Sequence, residues 1–249
     1  MTDKSPNAAL IVIGNEILSG RTQDKNINYI ATSLSSIGVR FLEVRVIPDI
    51  EIEIINTVND LRKKYSYVFT SGGIGPTHDD ITTEAIAKAF HKEIIQNKEA
   101  LRRLSEFYKG VLNEGRLKMT YLPVGAELID NPVSVAPGFK IENVYVMAGI
   151  PNVMQAMFDS IKHTLKGGKI ILSEEVRMYG SESKMAIELG NLQKKYPDVE
   201  IGSYPFVQDN KFGVSLVLRG IEDKKLDSVK KELLGILIKI EGIEIISGT

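Results

Sequence analysis

The sequence predicts an α/β protein in two parts: a doubly wound, mostly parallel domain over residues 1–167 and a small α+β domain over residues 168–249. Three observations carry that expectation. Short apolar runs alternate with helix-spaced apolar positions through the first two thirds of the chain, the order of repeated βα units. Two of those runs leave directly into glycine-bearing loops, Gly14 after the first and Gly72-Gly73 after the third, so loops gather where strands end. Beyond Gly167-Gly168 the order becomes strand, helix, strand, strand, helix, which suits a small antiparallel or mixed sheet with helices on one side.

Each element has its own signal. Residues 8–13 are a continuous apolar run, as expected of a strand buried on both faces. Ile27, Ile30, Ala31, Leu34 and Ile37 recur at helical spacing, and Gly38 supplies the stop. Residues 39–47 are rich in β-branched side chains and close on Pro48-Asp49, while Ile55, Val58 and Leu61 mark a helix before Lys63-Lys64. Residues 67–70 form a third strand. Ile81, Ala85, Ile86 and Ala89 give the next helix its apolar face, and a further helix covers about residues 98–109. Residues 128–129 and 144–147 read as strands, and Pro151 opens a helix at a position where its missing N–H costs nothing. In the second part the pattern predicts strands at 169–178, 200–205 and 213–218, with helices at 184–195 and 226–240.

Composition narrows the function classes. The 249 residues are 43% hydrophobic and 25% charged, which excludes a disordered, collagen-like or coiled-coil chain as a description of the whole. Lys and Arg total 31 against 32 for Asp and Glu, so no strong field draws in polyanions, and no nucleic-acid partner is expected. The absence of cysteine excludes a disulfide framework, a thiolate zinc site and a cysteine nucleophile. Residues 1–7 are polar without a signal-peptide pattern, and no stretch approaches the roughly 20 apolar residues that span a bilayer. A cytoplasmic protein with no membrane partner is the expectation.

The chemistry concentrates in the string from Thr70 to Asp80, TSGGIGPTHDD, at the exit of the third strand. Ligands of open α/β sheets bind beyond the carboxyl ends of strands. Gly72, Gly73 and Gly75 let the backbone approach a ligand, and their amides with the next helix's N-terminus favour phosphate. Thr70, Ser71 and Thr77 add hydroxyl donors. Asp79 and Asp80 sit awkwardly beside an anion unless a divalent cation bridges them to it, and carboxylate, water and phosphate oxygens suit such a cation. The plainer account is that one of the two caps the helix at Ile81. Asn15 and Glu16 at the first strand's exit, with Asp49 at the second's, converge on the same edge. A third loop, Asn131 to Phe139 with Ala136-Pro137-Gly138, and the junction Gly149-Ile150-Pro151 complete the candidate crevice. His78, His91 and His163 form no metal-spaced cluster.

These residues resemble a known family. The string SGGIGPTHDDIT at positions 71–82 is similar to the hallmark loop of the MoaB/Mog molybdopterin-binding domain, and most like its CinA-type branch, which includes the molybdopterin-binding-like domain of FAD synthase. Gly14-Asn15-Glu16-Ile17-Leu18, Asp24-Lys25-Asn26, Ala136-Pro137-Gly138-Phe139, Gly149-Ile150-Pro151 and Ile201-Gly202-Ser203-Tyr204-Pro205 support it. The chain departs from the family pattern at Ser134-Val135, where Gly-Thr is usual, and at Ala148. The resemblance implies a three-layer α/β/α domain. It implies a metal-dependent nucleotide pyrophosphatase acting on ADP-ribose or an FAD-like dinucleotide, with Mg²⁺, Mn²⁺ or Co²⁺ and potassium as cofactors. The alternative it implies is a molybdopterin-binding protein without hydrolysis. Asp79, Asp80 and Asp49 would be catalytic, and Asp79 and Asp80 would hold the metal. Asn15, Glu16, Asn28, Thr70, Ser71, Gly72, Gly73, Gly75, Pro76, Thr77, Ala136, Pro137, Gly138, Gly149 and Pro151 would bind the substrate. The expected partner is a small-molecule nucleotide or pterin, and a homo-oligomer is expected. Neither the nicotinamide-nucleotide amidase activity of CinA's C-terminal domain nor FAD synthesis is expected.

Overall fold

The computed structural model describes residues 5–246, so the polar N-terminal residues 1–4 lie outside the described residues. The chain divides into two compact units, Met1–Gly168 and Lys169–Thr249. Among the described residues no helix is long and apolar enough to cross a membrane.

The first unit runs β1 (Asn7–Ile13), α1 (Asn15–Leu18), α2 (Asn26–Ser35), β2 (Arg40–Ile47), α3 (Glu51–Lys64), β3 (Tyr67–Ser71), α4 (Thr82–Ala89), β4 (Ile94–Gln96), α5 (Lys98–Phe107), α6 (Glu114–Lys118), β5 (Tyr121–Pro123), β6 (Glu127–Ile129), β7 (Gly138–Ile141), β8 (Val144–Met147) and α7 (Pro151–Lys162). Its six-stranded sheet has the order β2-β1-β3-β8-β7-β6. The first four strands are mutually parallel, and β7 and β6 fold back as an antiparallel margin. Two apolar layers flank the sheet. Ala9, Ile11 and Val68 face α3 and α4 residues such as Val58 and Ile86, while Leu10, Val12 and Phe69 face α2 and α7 residues such as Ile30 and Phe158. Successive strand residues serve opposite layers, which is why the runs read as continuous rather than alternating.

The sequence reading missed β4, β5, β7, α6 and the last strand of the second unit. β4 and β5 are three-residue pieces that pair with each other across the intervening α5 and α6, and β7 is a four-residue strand paired with its chain neighbours β6 and β8. Gly138 belongs to β7 and not to a ligand loop. A side chain there would meet the Val146 carbonyl at 2.5 Å, so the glycine serves strand packing.

The second unit runs β9 (Leu172–Tyr179), a 3₁₀ turn, α8 (Ala186–Lys195), β10 (Glu200–Gln208), β11 (Lys211–Gly220), α9 (Asp223–Leu237) and β12 (Glu244–Ile246). Its sheet, β10-β11-β9-β12, is antiparallel throughout. Met178, Leu216 and Leu218 from the strands pack on Leu192 of α8 and Leu226, Val229 and Leu233 of α9.

Candidate functional site

The exits of β1, β2, β3 and β8 are neighbours at one edge of the parallel sheet, and their loops enclose a cavity of about 490 Å³. That volume lies in the range of small-molecule sites. β3 ends in Gly72-Gly73, both with the positive φ that glycine adopts without strain (116° and 70°). A Cβ on Gly72 would stand 2.1 Å from the Ile13 carbonyl, and one on Gly73 would stand 2.1 Å from the Thr82 hydroxyl oxygen. The loop thus passes closer to β1 and α4 than any side chain would allow.

The amides of this loop divide into two sets. Gly72 donates to the Met147 carbonyl at 3.1 Å, and Thr77 donates to Asp80 Oδ2 at 2.8 Å. Among the described residues the N–H groups of Gly73, Ile74 and Gly75 have no protein acceptor, nor have those of Gly149 and Ile150 at the adjacent exit of β8. Unpaired backbone amides beside a cavity are donors held ready for an anion. The amide donors this loop leaves free are therefore those of Gly73, Ile74 and Gly75, not those of Gly72 and Thr77.

Four carboxylates share the lining: Glu16, Asp49, Asp79 and Asp80. Asp49 Oδ2 accepts the Asn15 amide at 2.8 Å, which joins the exits of β1 and β2. Asp80 Oδ2 accepts the Thr77 amide and the Thr77 hydroxyl, closing a turn over residues 77–80. Neither aspartate caps the following helix, because α4 begins at Thr82 with Ile81 as its N-cap and no side-chain cap. The nearby Thr77 side chain and its own backbone amide lower the Asp79 carboxyl from the usual range, with His78 and Lys118 adding to the effect. None of the lining residues is Lys or Arg. Among the described residues no three Asp, Glu or His side chains stand close enough to hold a metal ion by themselves.

Of the candidates, Glu16, Asp49, Gly72, Gly73, Gly75, Pro76, Asp79, Asp80, Ala136, Gly149 and Pro151 line the cavity. The others do not. Ser71 is buried, its hydroxyl taken by Asn26 and directed at the Ala148 carbonyl, and the Thr70 hydroxyl is buried in the core layer beside β3 without a partner. Pro137 lines a small neighbouring void, and Asn15 contributes its backbone rather than its side chain. Asn28 is exposed on α2, its carbonyl accepting the Thr32 hydroxyl.

The asparagine that builds the site is Asn26, two positions earlier. Its Nδ2 donates to Ser71 Oγ at 2.7 Å and to the Gly149 carbonyl at 2.8 Å, tying the exit of β3 to the exit of β8. It is 3% exposed, so these bonds form away from water. Asn131 and Ser134 also line the cavity. Asn131 accepts the amides of Val133 and Ser134 and donates to Ser134 Oγ and the Ala136 carbonyl, folding the loop on itself. In that loop Val135 has φ 67°, a left-handed conformation that a β-branched residue adopts only under strain. The remaining wall is apolar, formed by Ile74, Met119, Ile150, Val153 and Met157.

Comparison with known proteins agrees with this layout. The family described as "Probable molybdopterin binding domain" matches residues 9–167, and "FAD synthase, middle domain" matches residues 170–241. A protein of Archaeoglobus fulgidus is 38% identical over 196 residues, covering 79% of this chain and 84% of its own. A "Putative competence-damage inducible protein" of Clostridium beijerinckii is 32% identical over 234 residues, and the match covers 90% of this chain but 56% of that protein. Among solved structures, the protein CinA with unknown function from Thermoplasma acidophilum is similar at 32% identity with a TM-score of 0.61, over 64% of this chain and 98% of that one.

Proposed function

The chain belongs to the family described as "Probable molybdopterin binding domain", and from that premise we propose that its cavity binds a nucleotide pyrophosphate, ADP-ribose or an FAD-like dinucleotide, and hydrolyses it with a divalent cation. One observation carries the reading: the unpaired amides of Gly73, Ile74 and Gly75 and the carboxylates of Glu16, Asp49, Asp79 and Asp80 line the same cavity. Amides call for an anion, carboxylates call for a cation, and a metal–phosphate pair satisfies both.

The donor set fits such a cation. All four side chains offer hard oxygens, and an ion of the Mg²⁺ type is ordinarily held by one or two carboxylates together with substrate phosphate. The lack of a three-residue cluster accords with an ion that the ligand helps to hold. When bound, the ion neutralises charge on the reacting phosphate and lowers the pKa of a coordinated water. The chain's own groups position the reactants. The open amides fix the phosphate that does not react, and Asp79 and Asp80 hold the cation. Asp49 and Glu16 add two further carboxylates to the same lining. The apolar wall receives the base and keeps water from that end of the cavity.

The test is release of AMP from ADP-ribose and FAD by the purified chain with Mn²⁺ or Co²⁺, repeated with Asp80→Asn. We expect AMP release by the wild type, and a loss in the variant at least as large as the roughly 10–100-fold seen when a metal ligand loses its supporting partner. No AMP from either substrate with any metal would end the proposal. A second reading, molybdopterin binding without hydrolysis, is favoured by the family match over residues 9–167. It requires pterin uptake in a metal-free titration.

A further inference from the structure

Lys118 lies outside the cavity lining, at the end of the five-residue helix α6. Its ammonium donates to the Thr77 carbonyl and to the Asp80 carbonyl, both at 2.7 Å. Those carbonyls stand at the two ends of the turn that carries Asp79 and Asp80. The turn is otherwise held by local bonds, the Thr77 amide to Asp80 Oδ2 and the Asp80 amide to the Thr77 carbonyl at 3.3 Å. It projects into solvent, with the His78 side chain 99% exposed. A second contact seats α6 on the same loop: a Cβ on Gly115 would stand 3.1 Å from both Cβ and the carbonyl oxygen of Pro76.

We propose that Lys118 is a positioning residue, a latch by which α6 holds the turn of residues 77–80 so that both aspartates present to the cavity in one geometry. The chemistry suits a lysine. Two carbonyl oxygens and the Asp80 carboxylate crowd one small turn, and all are acceptors. A compact ammonium with three donors satisfies two carbonyls at once and offsets their mutual repulsion. Outer partners of this kind, which orient the groups that hold a metal, typically change metal affinity or activity by about 10–100-fold when lost. The inference rests on the metal–phosphate reading of the cavity, because it is the cation that would register the geometry of the two carboxylates.

The experiment uses the full chain as wild type, Lys118→Met and Lys118→Arg. Mn²⁺ binding in the presence of AMP is followed by electron paramagnetic resonance, and amide hydrogen exchange is followed over residues 72–82. In Lys118→Met we expect faster exchange at Thr77 and Asp80, unchanged protection in β1 and β3, and Mn²⁺ affinity lowered by about 10–100-fold. Lys118→Arg keeps a charge and paired donors and recovers most of that affinity. A Lys118→Met chain that binds Mn²⁺ within about twofold of wild type overturns the latch, even if the turn exchanges faster. Loss of protection in β1 and β3 together with the affinity overturns it as well, since the residue would then be supporting the sheet. A wild type that takes up no Mn²⁺ is a different failure: it removes the metal reading first, and the latch with it.

Discussion

Each unit has its own apolar core of helices on a sheet, yet the two differ in what the ends of their strands can do. In the first unit four adjacent strands run the same way, so the loops after β1, β2, β3 and β8 open at one edge and enclose a single cavity of about 490 Å³. In the second, neighbouring strands of the sheet alternate in direction, so adjacent strands exit at opposite ends. A hollow of that unit, about 210 Å³, is walled in part by Lys195 and Glu232, which already bond each other at 2.7 Å. Parallel topology leaves donors and carboxylates unspent at one place. Antiparallel topology spends them locally.

That contrast can be broken at several points. The largest effect is expected from Gly72→Ala, because the residue sits at φ 116° and its new methyl would meet the Ile13 carbonyl at 2.1 Å. We expect the first unit to lose about 3 kcal/mol, read as a lowered midpoint in urea unfolding. Gly190→Ala in α8 of the second unit is the counterpart. Nothing lies within 4 Å, so the same change should stabilise by about 0.5–1 kcal/mol. Equal effects from the two would erase the distinction.

Asn26→Ala comes next. It removes two buried donors and leaves Ser71 Oγ and the Gly149 carbonyl short of a partner, at a cost of about 2 kcal/mol by calorimetry. The exits of β3 and β8 should then drift apart, with weaker ligand binding. Asn28→Ala should change neither. Val135→Gly works in the opposite direction. It relieves a left-handed β-branched residue and should raise the stability of the first unit by about 1 kcal/mol.

The smallest effect concerns pH. Burial, then the bond to Asp159, pushes the Tyr29 phenol from 10.0 up to about 12. A phenol with a raised folded value contributes stability that is whole below pH 10 and lost as pH climbs toward 12. Thermal melts of Tyr29→Phe should fall less steeply across that window than those of the wild type.

What the sequence disclosed and what it hid follow the same physics. β1, β3 and β8 announced themselves because strands buried on both faces must be apolar at every position. The glycine loop was legible because close backbone contact permits no other residue. The carboxylates could be placed at the edge, but not their bonds: whether Asp80 caps a helix or closes a turn depends on where α4 starts, a boundary that Ile81-Thr82 does not signal. Asn26 and Asn28 look alike in the string, and the choice is made by the rotation of α2 against β3 and β8. Lys118 carried no signal of its own, since its two acceptors are main-chain atoms about forty residues earlier.

The carboxylate-walled, lysine-free lining has a consequence for ionic strength. An anion site built on lysine or arginine loses affinity as salt rises, because screening weakens the attraction. Here the long-range force on an uncomplexed phosphate ester is repulsive, so monovalent salt should help it enter. A divalent ion reverses that sign. Titrating sodium chloride before and after adding magnesium would therefore give slopes of opposite direction from one and the same cleft.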